Sequence, residues 1–286
     1  MNRTTADPTG GRWHRALSRW HDLERRADRS SLSLFVSEAV GTALLLVGGL
    51  SAVTLVISPA SPLGALHLPD WAARACAGAL FGLTGTAVTL SRFGRHSGAH
   101  INPAVTLAFW LTGKISTSHA VGYVVSQALG AVAGAGAVLV WGAYGRPIRF
   151  GATVPETGLA PGVAVGLEAL CTAVLVVVLF TFLSSRSLRH LTPWTMGPLY
   201  AVMVCLEAPL TGTSTNPARS FGPALITGTW TLFWVYLVGP FLGAVVGVRV
   251  ARLLAWGEHR FEEARLVIRR QRNGSSPAST RSSRSP

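Results

Sequence analysis

The groups able to do chemistry in this chain are few and stand at matched places. Asn-Pro-Ala occurs at Asn102-Pro103-Ala104 and again at Asn216-Pro217-Ala218. Asparagine is a good helix N-cap and proline is tolerated at the first helical position, so each triplet opens a short helix. The side-chain amides of Asn102 and Asn216 can both donate hydrogen bonds to an uncharged oxygen. They do not make or break covalent bonds. Arg219 follows Asn216 by three residues, one turn on along the same helical face. Glu38 and Glu168 are carboxylates inside apolar runs. A charge there costs a few kcal/mol, so it faces the protein interior and serves a purpose.

Other chemistries are weaker. His96 and His100 stand four apart, as a metal pair would, but a supporting acid and a third ligand are missing. Ser97 beside them would need a base oriented by a third group to act as a nucleophile in an intramembrane enzyme. A coupled transporter would need a titratable pair on the substrate path, where this midplane offers amides. No metal, no cofactor and no catalytic residue are expected. A passive channel is the reading that remains.

The elements that must position these groups are apolar. The chain is 49% hydrophobic and only 13% charged, against about 25% charged for an ordinary soluble domain. Six runs of membrane-spanning length are read at 34–57, 73–93, 119–142, 163–183, 193–210 and 230–256. Two further runs, 103–111 and 217–226, are too short to cross. At 1.5 Å per residue, about ten residues cover about half of a 30 Å hydrocarbon core. The fold class is therefore an all-α membrane protein with six transmembrane helices and two re-entrant half-helices.

Charge orients it. There are 25 basic residues against 12 acidic, most of the arginines lying in the two tails. Positive charge beside spans keeps those segments cytoplasmic and meets anionic headgroups of membrane lipids. No nucleic-acid partner is expected. The loop 58–71 has no Lys or Arg, whereas Arg92, Arg95, Arg186 and Arg189 fall where the inside is expected. Both termini are then cytoplasmic, and Arg146 and Arg149 depart from the rule. The expected organisation is a basic segment at 1–32, a channel domain at 33–256 and a basic Ser/Arg-rich tail at 257–286, disordered at its end. The polar first 30 residues do not read as a signal peptide. Cys76, Cys171 and Cys205 lie in apolar blocks and read as packing residues. The single lysine, Lys114, among many Arg, Ala and Gly points to a bacterial, GC-rich source and a cell-membrane location.

The halves, about 33–142 and 162–256, repeat. Glu38-Ala39 with Thr42-Ala43 matches Glu168-Ala169 with Thr172-Ala173 at an offset of 130. The Asn-Pro-Ala triplets are offset by 216 − 102 = 114, and Tyr123 with Gly130-Ala131 matches Tyr236 with Gly243-Ala244 at 113. Three spans per half invert the second half relative to the first, with a site near the midplane. Facing half-helices then present two N-termini of about half a positive charge each. Such a meeting point repels cations and accepts the oxygen of a neutral molecule, as a proton-excluding water channel requires. Glycines four apart, at Gly130 and Gly134 and at Gly239, Gly243 and Gly247, read as close helix crossings.

The segments from His96 to Thr106 and from Thr213 to Ser220 resemble the major intrinsic protein family of aquaporins and aquaglyceroporins, the likeness extending over about 34–256. The resemblance implies a homotetramer with one pore per subunit, passing water and small neutral solutes such as glycerol. It implies that Glu38 and Glu168 hold the re-entrant loops and that Arg219 narrows the outer mouth. It carries three further filter positions onto Val204, Thr213 and Phe81, or onto Gly82 if strict spacing from Asn102 is kept. It puts His100 at the cytoplasmic vestibule. Val204 departs from the histidine of water-specific members, which predicts a less polar filter. Ser220 and Ala224 resemble water channels. Water is the expected cargo, with a mainly solute-conducting channel as the alternative. Glu207 is left as a rim residue or the partner of a neighbour.

Overall fold

The computed structural model describes residues 10–254, with side chains from Ser31 onward. The tail read at 257–286 and residues 1–9 of the segment read at 1–32 lie outside those limits. The described chain is helical, without a strand. It runs α1 (Gly10–Ile57), α2 (Asp70–Leu90), α3 (Arg92–Ser97), α4 (Pro103–Leu111), α5 (Thr117–Val138), α6 (Pro161–Ser184), α7 (Met196–Thr211), α8 (Pro217–Thr227) and α9 (Val235–Leu254).

The short helices α4 and α8 start where the triplets predict. In each the asparagine is the N-cap in extended backbone, with proline in the first turn. Asn102 Oδ1 accepts from the Ala104 N–H at 2.8 Å, and Asn216 Oδ1 accepts from the Ala218 and Arg219 N–H groups at 3.0 and 3.2 Å. Orphan donors of the first turn are thereby satisfied.

Three boundaries differ from the sequence reading. The region around Arg92 and Arg95, expected as loop, forms α3, where Ser91 Oγ accepts the Gly94 N–H at 3.3 Å. The fifth span begins as a 3₁₀ turn over Arg189–Thr195, and the α-helix starts only at Met196. Pro193 has no N–H to enter an α-helical ladder, which defers the start. The sixth span begins at Val235 rather than 230, because the chain turns through Leu232 at φ 50°.

The two halves pack alike. α1 lies on α5, α6 lies on α9, and α2 faces α7 between the halves. A methyl group added at Gly134 would sit 2.6 Å from the Ala43 carbonyl oxygen, and one at Gly247 would sit 2.8 Å from that of Ala173. Gly130 and Gly243 press in the same way on the carbonyls of Ala39 and Ala169. These are the repeated Gly and Ala anchors of the sequence, now facing each other across one helix crossing per half. In lipid, such close backbone approach replaces the hydrophobic drive that helices have in water.

Candidate functional site: facing half-helices and the cavities on either side

Each re-entrant loop reaches its half-helix through strained backbone. Ala99 and Ile101 have φ of 52° and 42°, and the matching Thr213 and Thr215 have 51° and 50°. Left-handed backbone at residues with a Cβ costs about 1–2 kcal/mol each. Buried carboxylates hold it in place. Glu38 Oε1 accepts the His100 N–H at 3.0 Å and Oε2 accepts the Ile101 N–H at 2.7 Å. Glu168 accepts the Ser214 and Thr215 N–H groups, both at 2.8 Å. A hydroxyl completes each anchor: Ser97 Oγ donates to Glu38 at 2.7 Å, and Thr211 Oγ1 donates to Glu168 at 2.8 Å. Tyr123 and Tyr236 donate in turn to the Ser97 and Thr211 carbonyls, both at 2.6 Å. Ser97 is thus half of a symmetric support, and its proton is directed to Glu38.

The support is not symmetric in every partner. Gln127, fully buried on α5, donates to Glu38 Oε2 at 2.8 Å and to Thr106 Oγ1 at 3.0 Å. On the other side Thr211 also lies against the Glu207 carboxyl, so Glu207 is the inward neighbour of Glu168 and not a rim residue.

The strained loops aim two carbonyls at the opposite half. Asn102 Nδ2 donates to the Thr215 carbonyl at 2.9 Å, and Asn216 Nδ2 donates to the Ile101 carbonyl at 2.9 Å. Each Oδ1 is engaged in its own cap. An asparagine amide has two N–H donors. One remains on each residue for a molecule held between them.

One cavity opens on this meeting point and a second lies beyond it. The smaller, about 70 Å³, is lined by Asn102 and Asn216 together with His100, Ile101, Leu179 and Tyr200. His100 is stacked on Phe109 with ring centroids 4.4 Å apart, and its Nδ1 lies 3.2 Å from Thr106 Oγ1. Thr106 gives its own proton to the Asn102 carbonyl at 3.1 Å, so His100 Nδ1 is the donor in that pair. The larger cavity, about 240 Å³, brings together Phe81, Val204, Thr213 and Arg219, with Arg74 further out along α2.

Arg219 is 6% exposed, and its Nη1 donates to the Gly151 carbonyl at 2.6 Å. Its guanidinium carbon is 5.7 Å from the Phe81 ring centroid. Of the two readings for the α2 position, Phe81 stands with Arg219 and Gly82 does not. A methyl group added at Gly82 would lie 2.6 Å from the Met196 carbonyl carbon and 2.9 Å from Gly197 Cα. Gly82 therefore serves the contact of α2 with the start of α7. Sequence reasoning missed Tyr200, Gln127 and Thr211. Tyr200 lies one turn before Val204 on α7, and that spacing was the available signal.

Comparison with known proteins bears on family and fold. The sequence pattern of the family described as major intrinsic protein matches residues 26–250. Aquaporin NIP1-1 of Zea mays is 35% identical over 221 residues, which cover 77% of this chain and 73% of that protein. Aquaporin-6 of Rattus norvegicus is 36% identical over 187 residues, 65% of this chain and 66% of its own length. The X-ray structure of the aquaglyceroporin from Plasmodium falciparum shares the fold, with a TM-score of 0.63 and 20% identity over 79% of this chain and all of that one.

Proposed function

The chain belongs to the major intrinsic protein family, and from that premise we propose that its pore conducts water first, admits small neutral solutes such as glycerol, and excludes protons and ions. Members of this family are passive channels, so the protein is a multi-pass membrane channel for water or small solutes and not an enzyme. The finer reading rests on one observation above the rest. Asn102 and Asn216 each spend one amide N–H on the opposite loop and one Oδ1 on their own cap. What is left faces the pore as a pair of donors with no acceptor. A water passing there accepts from both, and its own protons point away along the pore. It cannot take a proton from one neighbour and hand another on. The positive ends of α4 and α8 oppose hydronium at the same spot, and Arg219 adds a full charge further out.

The filter in this reading is Phe81, Val204, Thr213 and Arg219, with His100 at the cytoplasmic vestibule and Glu38 and Glu168 holding the loops. Val204 supplies no donor, which favours the second reading, a channel mainly for small uncharged solutes. The working unit is a homotetramer in the cell membrane with both termini cytoplasmic. Stopped-flow light scattering on proteoliposomes tests the proposal. Purified protein should accelerate osmotic shrinkage, admit glycerol more slowly than water, and leave the decay of a pH gradient at the rate of protein-free liposomes. No acceleration of shrinkage would refute the water reading, and glycerol entering faster than water leaves would favour the second.

A further inference from the structure

Among the described residues, only Phe81 and Tyr200 line both cavities. Their rings are stacked, with centroids 5.7 Å apart and planes 30° from parallel. They come from different halves, Phe81 from α2 and Tyr200 from α7. Tyr200 is also tied to the paired asparagines. Its hydroxyl lies 2.9 Å from Thr215 Oγ1, which gives its own proton to the Ser214 carbonyl at 2.8 Å. Tyr200 is therefore the donor to Thr215, whose carbonyl receives Asn102 Nδ2. The tyrosine has no rotameric freedom without giving up that bond, and the oxygen it keeps toward the cavities can only accept.

We propose that Tyr200, one turn inward of Val204 and outside the four filter positions, is a specificity-determining residue of this channel, its ring forming with Phe81 the partition that sets the size of solute passing from the outer cavity to the asparagine pair. The inference rests on the channel reading above and adds a second point of size selection to it. Val204 is apolar and short, so the outer cavity alone does not reject a three-carbon polyol. A rigid aromatic wall below it slows such a solute relative to water. A steric barrier of this kind retards a larger solute more than water without barring it.

The test is the ratio of glycerol to water permeability in proteoliposomes of the full chain. Tyr200→Leu, which removes the partition, should raise the ratio about tenfold, an increase of the order a single side chain can produce. Tyr200→Phe keeps the ring and should hold the wild-type ratio within about twofold. Tyr200→Trp should lower water permeability severalfold. A Tyr200→Leu protein that elutes and conducts water like the wild type with an unchanged ratio overturns the proposal. If Tyr200→Leu does not assemble, an unchanged water permeability in Tyr200→Trp overturns it instead. A wild-type chain that conducts neither water nor glycerol refutes the channel's proposed cargo, a failure seen before any variant is compared. A ratio that rises in Val204→Ala but not in Tyr200→Leu assigns size selection to the filter alone and also overturns it.

Discussion

Arg219 is fastened to Gly151: its Nη1 donates to that carbonyl at 2.6 Å, and Gly151 belongs to the segment joining the two halves of the repeat. The linker between halves is thus part of the pore wall. A planar guanidinium can hold this bond and still present further N–H groups, which a lysine ammonium at the end of a flexible stem does not reproduce. Arg219→Val should leave water flux in place and raise proton conductance at least about tenfold, the equivalent of about 1.4 kcal/mol of barrier. Decay of an imposed pH gradient, followed with a trapped dye, measures it.

Asn216 does two jobs with one amide. Asn216→Ala removes a cap, about 1 kcal/mol, and leaves the Ile101 carbonyl without its partner, about 1–3 kcal/mol more. Unfolding by denaturing detergent should show the sum, with loss of water flux. Asn216→Asp keeps the capping oxygen and loses the donor to Ile101. It should retain more stability than the alanine variant while admitting cations, read as a membrane current or a sodium-dependent dye signal.

Glu38 and Glu168 each accept two backbone N–H groups with two oxygens. A glutamine offers one oxygen. Glu168→Gln should therefore release one N–H of the second loop, cost about 1–3 kcal/mol of stability, and lower water flux through misalignment of the Thr215 carbonyl. Equilibrium unfolding and stopped-flow shrinkage of the same preparation check both parts.

Gly243 and Gly136 separate packing from composition. A methyl group at Gly243 would meet the Ala169 carbonyl, whereas at Gly136 its nearest neighbour is Ile226 Cδ1 at 4.0 Å. Gly243→Ala should destabilise by about 1–3 kcal/mol through overpacking, and Gly136→Ala should stay within about 0.5 kcal/mol of wild type. Thermal unfolding in mild detergent distinguishes them.

These features differ in how plainly the sequence declared them. The triplets announced their half-helices because capping is local chemistry: a cap oxygen and a proline act within three residues. The spacing of Gly130 and Gly134, and of Gly243 and Gly247, exposed the helix crossings because the same small residues recur in both halves. Gly82 and Phe81 could not be separated by counting. The difference is one residue of rotation on α2, and only the position of α7 decides which stands with Arg219. Tyr200 was passed over because an aromatic residue in an apolar helix looks like lipid-facing bulk until its hydroxyl partner, Thr215, is seen in three dimensions. Gln127 and Thr211 were hidden for the same reason, since their partners lie on other helices. The unexpected α3 followed from Ser91, a cap signal of the same kind as the asparagines but without the apolar run after it.

The reciprocal bonds between the loops carry a consequence for biogenesis. Asn102 finds its acceptor on a residue 113 positions later in the chain, and Asn216 finds its own 115 positions earlier. While the ribosome is still making the fourth span, the first re-entrant segment has its backbone N–H groups tied to Glu38, but the Asn102 amide and the Ile101 carbonyl still lack their partners. Those two groups stay shielded from lipid until the second segment has emerged. Completion of the pore is then a single late step in which both segments lock at once, and a nascent chain halted before residue 215 would hold a half-built channel with nothing to seal it.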